Sequence, residues 1–408
     1  MSTELGPGAW CWFQDPRCVT DGEYTYAGWV EPEGEITIAQ LDHGTREWDL
    51  NRGIDVIDYD DHGPPALHVR EDGRVLFMYM EHNADRFRYR VTRDPHDITA
   101  LLPAESFEIP GGGGNYPQFV DTDDVLYLFH RDVGDEDSRD WFVRTSEDDG
   151  ESWSGPSKVV TFDGGYSLYM RVSLDRNDRV DVAATPHPRP NDASLFHGYF
   201  VPSEGTWYTS DGERLDPPFY YEDLTCVWDV EVEDRDAWIW DIRTNRGDPE
   251  ILYTTVATDD VEDHRYQYSR YADGEWRTTP IADTRQLVAR ATGGLEDHYS
   301  PGLYFDHQSS SDLILARGSP ETDTDENNTR RGVELERWRI GEDGERVEPV
   351  EAITEDSTTN QFRPVSPVPR EAGDESPIEI MWMHDQAEDT YVFNQFTTSI
   401  RSVESDPE

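Results

Sequence analysis

Short apolar or alternating runs, punctuated by Asp-Gly and proline, replace helical periodicity along almost the whole chain. Examples are Thr25 to Val30, Val75 to Met80, Val125 to His130, Val180 to Ala184, Ile251 to Val256, Leu313 to Ala316 and Ile378 to Met383. Runs of this length between turn residues belong to strands, so the spacing is that of an all-β chain. Asp-Gly dipeptides begin at Asp21, Asp72, Asp149, Asp211, Asp273 and Asp343. An Asp-Gly pair between alternating apolar segments is a strong hairpin signal, because a tight turn requires positive φ.

One hairpin is more specific. Ser146 to Trp153 reads Ser-x-Asp-x-Gly-x-x-Trp, the Asp-box pattern, in which the aspartate caps the turn and the tryptophan packs into the sheet. Tyr271 to Trp276 is a degenerate copy. Such repeats stabilise four-stranded blades and do not themselves catalyse, so the expected fold is a β-propeller. Seven blades in 408 residues would average roughly 58 each, with the surplus in loops; six blades is the alternative. No linker long enough to split the chain is present. Residues 1–408 are therefore expected to form one propeller domain, with a solvated tail from about 402 to 408.

Composition constrains partners more than fold. With 87 acidic residues against 35 Lys and Arg, the net charge is −52. Lys158 is the only lysine. A hydrated acidic surface of this kind suits work at very high salt, which screens self-repulsion. No basic patch exists to neutralise phosphates, so nucleic acid is excluded as a partner. High charge favours disorder, but 13 Trp, 20 Tyr and 15 Phe supply the burial energy of a core. Cys11, Cys18 and Cys226 make no disulfide framework and read as buried thiols, although cysteine with nearby histidine can bind zinc. No apolar run is long enough to span a membrane. The first residues lack a leader, which points to the cytoplasm, or to secretion if a leader was removed. A monomer is expected.

Against this acidic background, His62, His82, His130 and His187 each sit at the end of a short strand-like run. Tyr116, Arg131, Tyr169 and Arg171 are interleaved with them. In a propeller, loops at one end of the channel converge, so these remote positions can share a pocket. His62 has a plainer reading, as a loop histidine bonded to Asp60 or Asp61. A tyrosine is most often packing, but one beside an arginine can have its phenol pKa lowered from about 10 and act as base or acid. Histidine, tyrosine and arginine together suit β-elimination from a uronic acid. A cation neutralises the carboxylate and stabilises the enolate-like intermediate. A Tyr or His then removes the C5 proton, and another protonates the departing O4. Glycoside hydrolysis instead needs two carboxylates at a defined separation.

Several segments resemble the BNR-repeat-containing propeller family, which includes polysaccharide lyases acting on ulvan, a sulfated polymer containing uronate. They are Gly8 to Arg17, Asp60 to Leu67, Tyr116 to Gln118, His187-Pro188, Ala237 to Ile242 and Arg363 to Val365. The resemblance runs from about Gly8 to Thr398, with motifs in order. It implies catalytic roles for His62, Tyr116, Arg131 and His82: Tyr116 as the catalytic tyrosine, Arg131 as the carboxylate-neutralising arginine, and the histidines as a pair at matching spacing. Tyr169, Arg171, His187 and His130 are the implied substrate-binding positions. His130 before Arg131, and the short loop holding Gly111 to Gly114, depart from the family pattern. The implied substrate is an anionic polysaccharide or oligosaccharide. The chemistry requires no cofactor, although relatives can carry a metal near the site, and Ca or Zn is an open possibility here. A sialidase-like glycoside hydrolase and a non-catalytic glycan-binding propeller are the rival expectations.

Overall fold

The apolar runs are strands, and they share one place in the architecture. The computed structural model describes all residues except 1, 110, 123, 134–138, 164–166, 174–177, 189–191, 285–289, 292–293, 296–297, 319–331, 358, 386–391 and 406–408. Seven small sheets, each built mainly of antiparallel pairs, stand in a ring and form a seven-bladed β-propeller, so six blades is set aside. The inner and second strands are Cys18–Thr20 and Tyr24–Val30 in blade 1, and Ala66–Val69 and Val75–Tyr79 in blade 2. They are Asn115–Asp121 and Leu126–Val133 in blade 3, and Leu168–Val172 and Val180–Pro186 in blade 4. Blade 5 has Arg235–Asn245 and Asp248–Ala257, blade 6 has Leu303–Phe305 and Asp312–Gly318, and blade 7 has Asn360–Val365 and Ile378–Asp385. Each run read from the sequence is a second strand. That strand is covered by neighbouring blades on both faces, which is why it reads as nearly continuous apolar residues.

Ser2–Pro7 closes the ring by pairing antiparallel with Thr398–Glu404 at the outer edge of blade 7. This corrects the expected tail, because Ser402 is buried within that strand and Glu404 still pairs with Ile378. Residues 406–408 lie outside the described residues.

The segment Gly8 to Arg17 fills the central channel. The amide of Gly8 donates to Thr398 O at 2.9 Å, that of Ala9 to Val30 O at 2.9 Å, and that of Cys11 to Asp61 O at 2.8 Å. The indoles of Trp10 and Trp12 donate to Arg363 O at 2.9 Å and Ile239 O at 3.1 Å. Arg171 donates to Trp12 O at 2.8 Å, Asp15 bridges to Gln118, and the Tyr304 hydroxyl donates to Asp15 at 3.3 Å. Every blade thus meets this segment. Buried ion pairs complete the channel: Asp15 with Arg17 at 3.0 Å, Arg171 with Asp15 and Asp241, and Arg363 with Asp61.

The Ser146 to Trp153 hairpin belongs to blade 3. Asp148 Oδ1 accepts from the Ser152 amide at 2.8 Å and the Ser146 hydroxyl at 2.7 Å. Trp153 stacks on Phe119 with centroids 6.0 Å apart. In the Tyr271 to Trp276 hairpin of blade 5, the Trp276 indole crosses to blade 4 and donates to Ser210 Oγ at 3.0 Å.

Candidate functional site

Inner strands begin, and second strands end, on one face of the ring. His62 precedes the inner strand of blade 2, and Tyr116 and Tyr169 lie near the starts of the inner strands of blades 3 and 4. His82, Arg131 and His187 stand at or just beyond the ends of the second strands of the same three blades. The topology therefore brings six of the eight expected residues to one channel mouth.

The backbone at Tyr116 is bent to do this. Its φ is +60°, ahead of Pro117, and the ladder to the second strand slips between Asn115 and Gln118. A bulky residue in the left-handed region before a proline is held there only by its surroundings. Arg363 repeats the device in blade 7, with φ +49° ahead of Pro364. Asn115 braces the neighbouring blade: its side-chain carbonyl accepts from the Asn83 amide at 3.0 Å and its Nδ2 donates to Asn83 Oδ1 at 2.9 Å. This ties the loop carrying His82 to the strand carrying Tyr116.

His62 and His82 stack with centroids 4.2 Å apart and planes 6° from parallel. Asp60 serves both: its carboxylate meets Nδ1 of His62, and Nδ1 of His82 lies 3.0 Å from Oδ2. Asp61 Oδ1 lies 3.1 Å from the same nitrogen of His62. Burial opposes charge on His62, but Asp60 and Asp61 outweigh it and hold the imidazole above its ordinary pKa of 6.5. Burial and then repulsion from His62 push His82 the other way, below 6.5, despite Asp60. The shared carboxylate thus favours charge on His62 over charge on His82. His82 is also the more accessible ring, its side chain 24% exposed against 7% for His62.

Arg131 lies over two phenols, its guanidinium carbon 4.5 Å from the Tyr116 ring and 5.2 Å from that of Tyr169. The two tyrosine rings are 5.6 Å apart, and His187 is 5.7 Å beyond Tyr169. Nε and Nη1 of Arg131 are buried and meet no acceptor among the described residues, while the guanidinium also hydrogen-bonds the Tyr169 phenol. The expectation that arginine lowers the phenol pKa is corrected. Burial, then the neighbouring Tyr169, raises Tyr116 well above 10, and the opposing pull of Arg131 is smaller. Tyr169 is likewise raised by burial against Arg131. Both phenols keep their protons at neutral pH.

Two of the expected substrate contacts lie apart from this group. Arg171 is wholly buried and spent on Asp15, Asp241 and Trp12 O, so it is a strut of the filled channel. His130 points away from the mouth, 5.1 Å from Phe87 and 6.0 Å from Phe142. Burial, helped by Arg144, drives its pKa down to about 3. Strand alternation explains this: Arg131 faces the site, so its neighbour His130 faces the opposite side. The sequence reading missed Phe13 as well, which packs 5.1 Å from Tyr116 and 4.4 Å from Tyr169, and Phe393, edge-on to His62 at 5.2 Å. Neither carries a local signal, because each arrives from a remote segment.

Asp60, His62 and His82 could hold a metal ion, since one ligand atom of each lies within 4.8 Å of the others. Two imidazoles and one carboxylate suit zinc better than calcium, which takes six to eight oxygens. Cys11 and Cys18 are buried apart from this group, their thiols held up by desolvation to about 12 and higher.

A model of the BNR repeat-containing family matches residues 24–284. No curated protein matches the chain. Among solved structures, a PL25 ulvan lyase superposes with a TM-score of 0.69 at 14% identity, covering 98% of this chain and 93% of that one. The PL25 ulvan lyase bound to -[GlcA(1-4)Rha3S]- gives 0.69 at 13%, covering 98% and 95%. The polysaccharide lyase Uly1 gives 0.63 at 12%, covering 96% and 90%. At these identities the likeness is one of fold.

Proposed function

The chain belongs to the BNR repeat-containing family, and from that premise we propose that it is a polysaccharide lyase cleaving a uronate-containing, ulvan-like polysaccharide or oligosaccharide by β-elimination. The observation that carries the reading is the meeting of a buried guanidinium, Arg131, whose Nε and Nη1 meet no acceptor among the described residues, with two phenols and a stacked imidazole pair. The nearby carboxylates Asp60 and Asp61 are engaged, by the histidines and Arg363, which disfavours a glycoside hydrolase needing two free carboxyl groups.

In this mechanism Arg131 neutralises the uronate carboxylate and makes the C5 proton removable. His82, neutral and with Nδ1 turned to Asp60, offers Nε2 as the base. Tyr116, whose phenol is protonated, donates to the departing O4. His62 carries the positive charge beside Asp60 and fixes the stack. Tyr169 and His187 bind the sugar. The C5–H and C4–O bonds break, the C4–C5 double bond forms, and a 4,5-unsaturated uronate remains at the new non-reducing end. An ion held by Asp60, His62 and His82 would supply Lewis acidity, which this proton inventory does not call on.

The test is ultraviolet absorbance of the unsaturated product with ulvan and glucuronan in multimolar salt. A rise in absorbance matched to new chain ends is expected. New reducing ends without absorbance would sink elimination in favour of hydrolysis.

A further inference from the structure

The inner strand of blade 5 carries a donor that no described residue accepts from. Five other deeply buried tryptophans give their indole N–H to a protein acceptor. Trp10, Trp12, Trp29, Trp141 and Trp382 do so at 2.7–3.1 Å. Trp238 is only 1% exposed, and its Nε1 meets no acceptor among the described residues. A buried unpaired donor costs about 1–3 kcal/mol and is rare in native structures. Trp48 and Trp153 share the condition, but they stand on an outer strand and an outer hairpin, remote from the channel.

Trp238 is placed differently. Its ring lies 5.5 Å from Tyr169 and 4.9 Å from His187, the two expected substrate contacts of blade 4. Tyr299 continues the row at 5.2 Å from Trp238. On the other side of Tyr169 lies Arg131, another buried residue with donors unpaired among the described residues. The two sets of unused donors thus flank one phenol. Arg131 offers a charge-assisted fork suited to a carboxylate. Trp238 offers a single neutral N–H at the edge of an aromatic ring, suited to one sugar oxygen.

Resting on the lyase reading, we infer that Trp238 is a specificity residue. It donates to an oxygen of the sugar adjoining the uronate held by Arg131, so the substrate track runs from blade 2 to blade 5. The site would then read two consecutive sugars, a carboxylate-bearing one at blade 3 and an acceptor-bearing neighbour at blade 5. A substrate lacking that oxygen would leave the indole unpaired, which is how buried polar groups discriminate.

The test is Trp238→Phe, which keeps an aromatic face and deletes the N–H. With ulvan oligosaccharides as probe, KM should rise about 5–30-fold, the range of one lost hydrogen bond, while kcat stays within about two-fold. In the Tyr116→Phe variant, which does not turn the sugar over, the indole N–H resonance that W238F removes should shift on adding the oligosaccharide. An unchanged KM in a folded, active W238F, or a resonance that does not move, overturns the inference; an ordered water would then be the partner. Failure of the lyase reading is distinct, because wild type would yield no unsaturated product while the resonance still reports whether sugar binds.

Discussion

At the scale of single residues, the site works through unequal environments. Asp60 binds two stacked imidazoles, yet one is held above its ordinary pKa and the other below it. If His82 is the base, the rate should fall on the acid side with an apparent pKa below 6.5, as His82 becomes protonated. Asp60→Asn removes the shared acceptor and should lower kcat at least about tenfold and distort that acid limb; an unaltered pH–rate profile would remove Asp60 from the mechanism. Tyr116→Phe should abolish elimination with little loss of stability, read as absorbance alongside thermal melting. His130 makes a different prediction. Its native pKa of about 3 lies below its unfolded value near 6.5, so the unfolded chain binds the extra proton between these pH values. Its contribution is therefore complete above 6.5 and is lost as pH falls, by up to about 1.4 kcal/mol per unit. His130→Leu should flatten that part of the stability curve, measured by denaturant titration at stepped pH.

At the scale of elements, legibility followed strand position within a blade. Second strands, buried on both faces, announced themselves as apolar runs, and the residues just beyond them, His82, Arg131 and His187, could be found that way. Asp-Gly turns at Asp21, Asp72, Asp149, Asp273 and Asp343 join adjacent strands and carry glycines at φ between +72° and +85°. Gly150 is among them, at φ +81°, and a Cβ there would come 2.5 Å from Leu76 Cδ2. Gly150→Ala should cost about 1–3 kcal/mol, visible as a lower denaturation midpoint with unchanged slope. Less was legible where the fold overrides local pattern. Arg171 and Arg131 look alike in sequence, yet one faces buried Asp15 and Asp241 and the other lies over two phenols at the channel mouth. That contrast depends on Asp15 and Asp241, 156 residues before and 70 residues after Arg171, which no spacing could reveal. Trp238 and Trp240 stood in one quoted motif, but only the slip in the ladder between Ile239 and Asp241 separates their surroundings.

At the scale of the whole molecule, charge and ring geometry dominate. A net charge of −52 repels itself, and the Debye length shortens from about 10 Å at 0.1 M to about 3 Å at 1 M. The melting temperature should rise steeply with sodium chloride over that range; independence from salt would show that the acidic surface is not a stability term. Many of the cations are tied up locally, as where Lys158 lies 2.7 Å from buried Asp140. Ring closure by Ser2–Pro7 against Thr398–Glu404 pairs the two ends of the chain. The segment that follows, Gly8 to Arg17, touches all seven blades at once. It therefore works as a gauge of ring size. An eighth blade would widen the hole past what ten residues can span, and a lost blade would leave no room for them. Blade duplication or deletion, the easiest way for a repeat fold to vary, is closed to this chain unless its first strand's successor changes too.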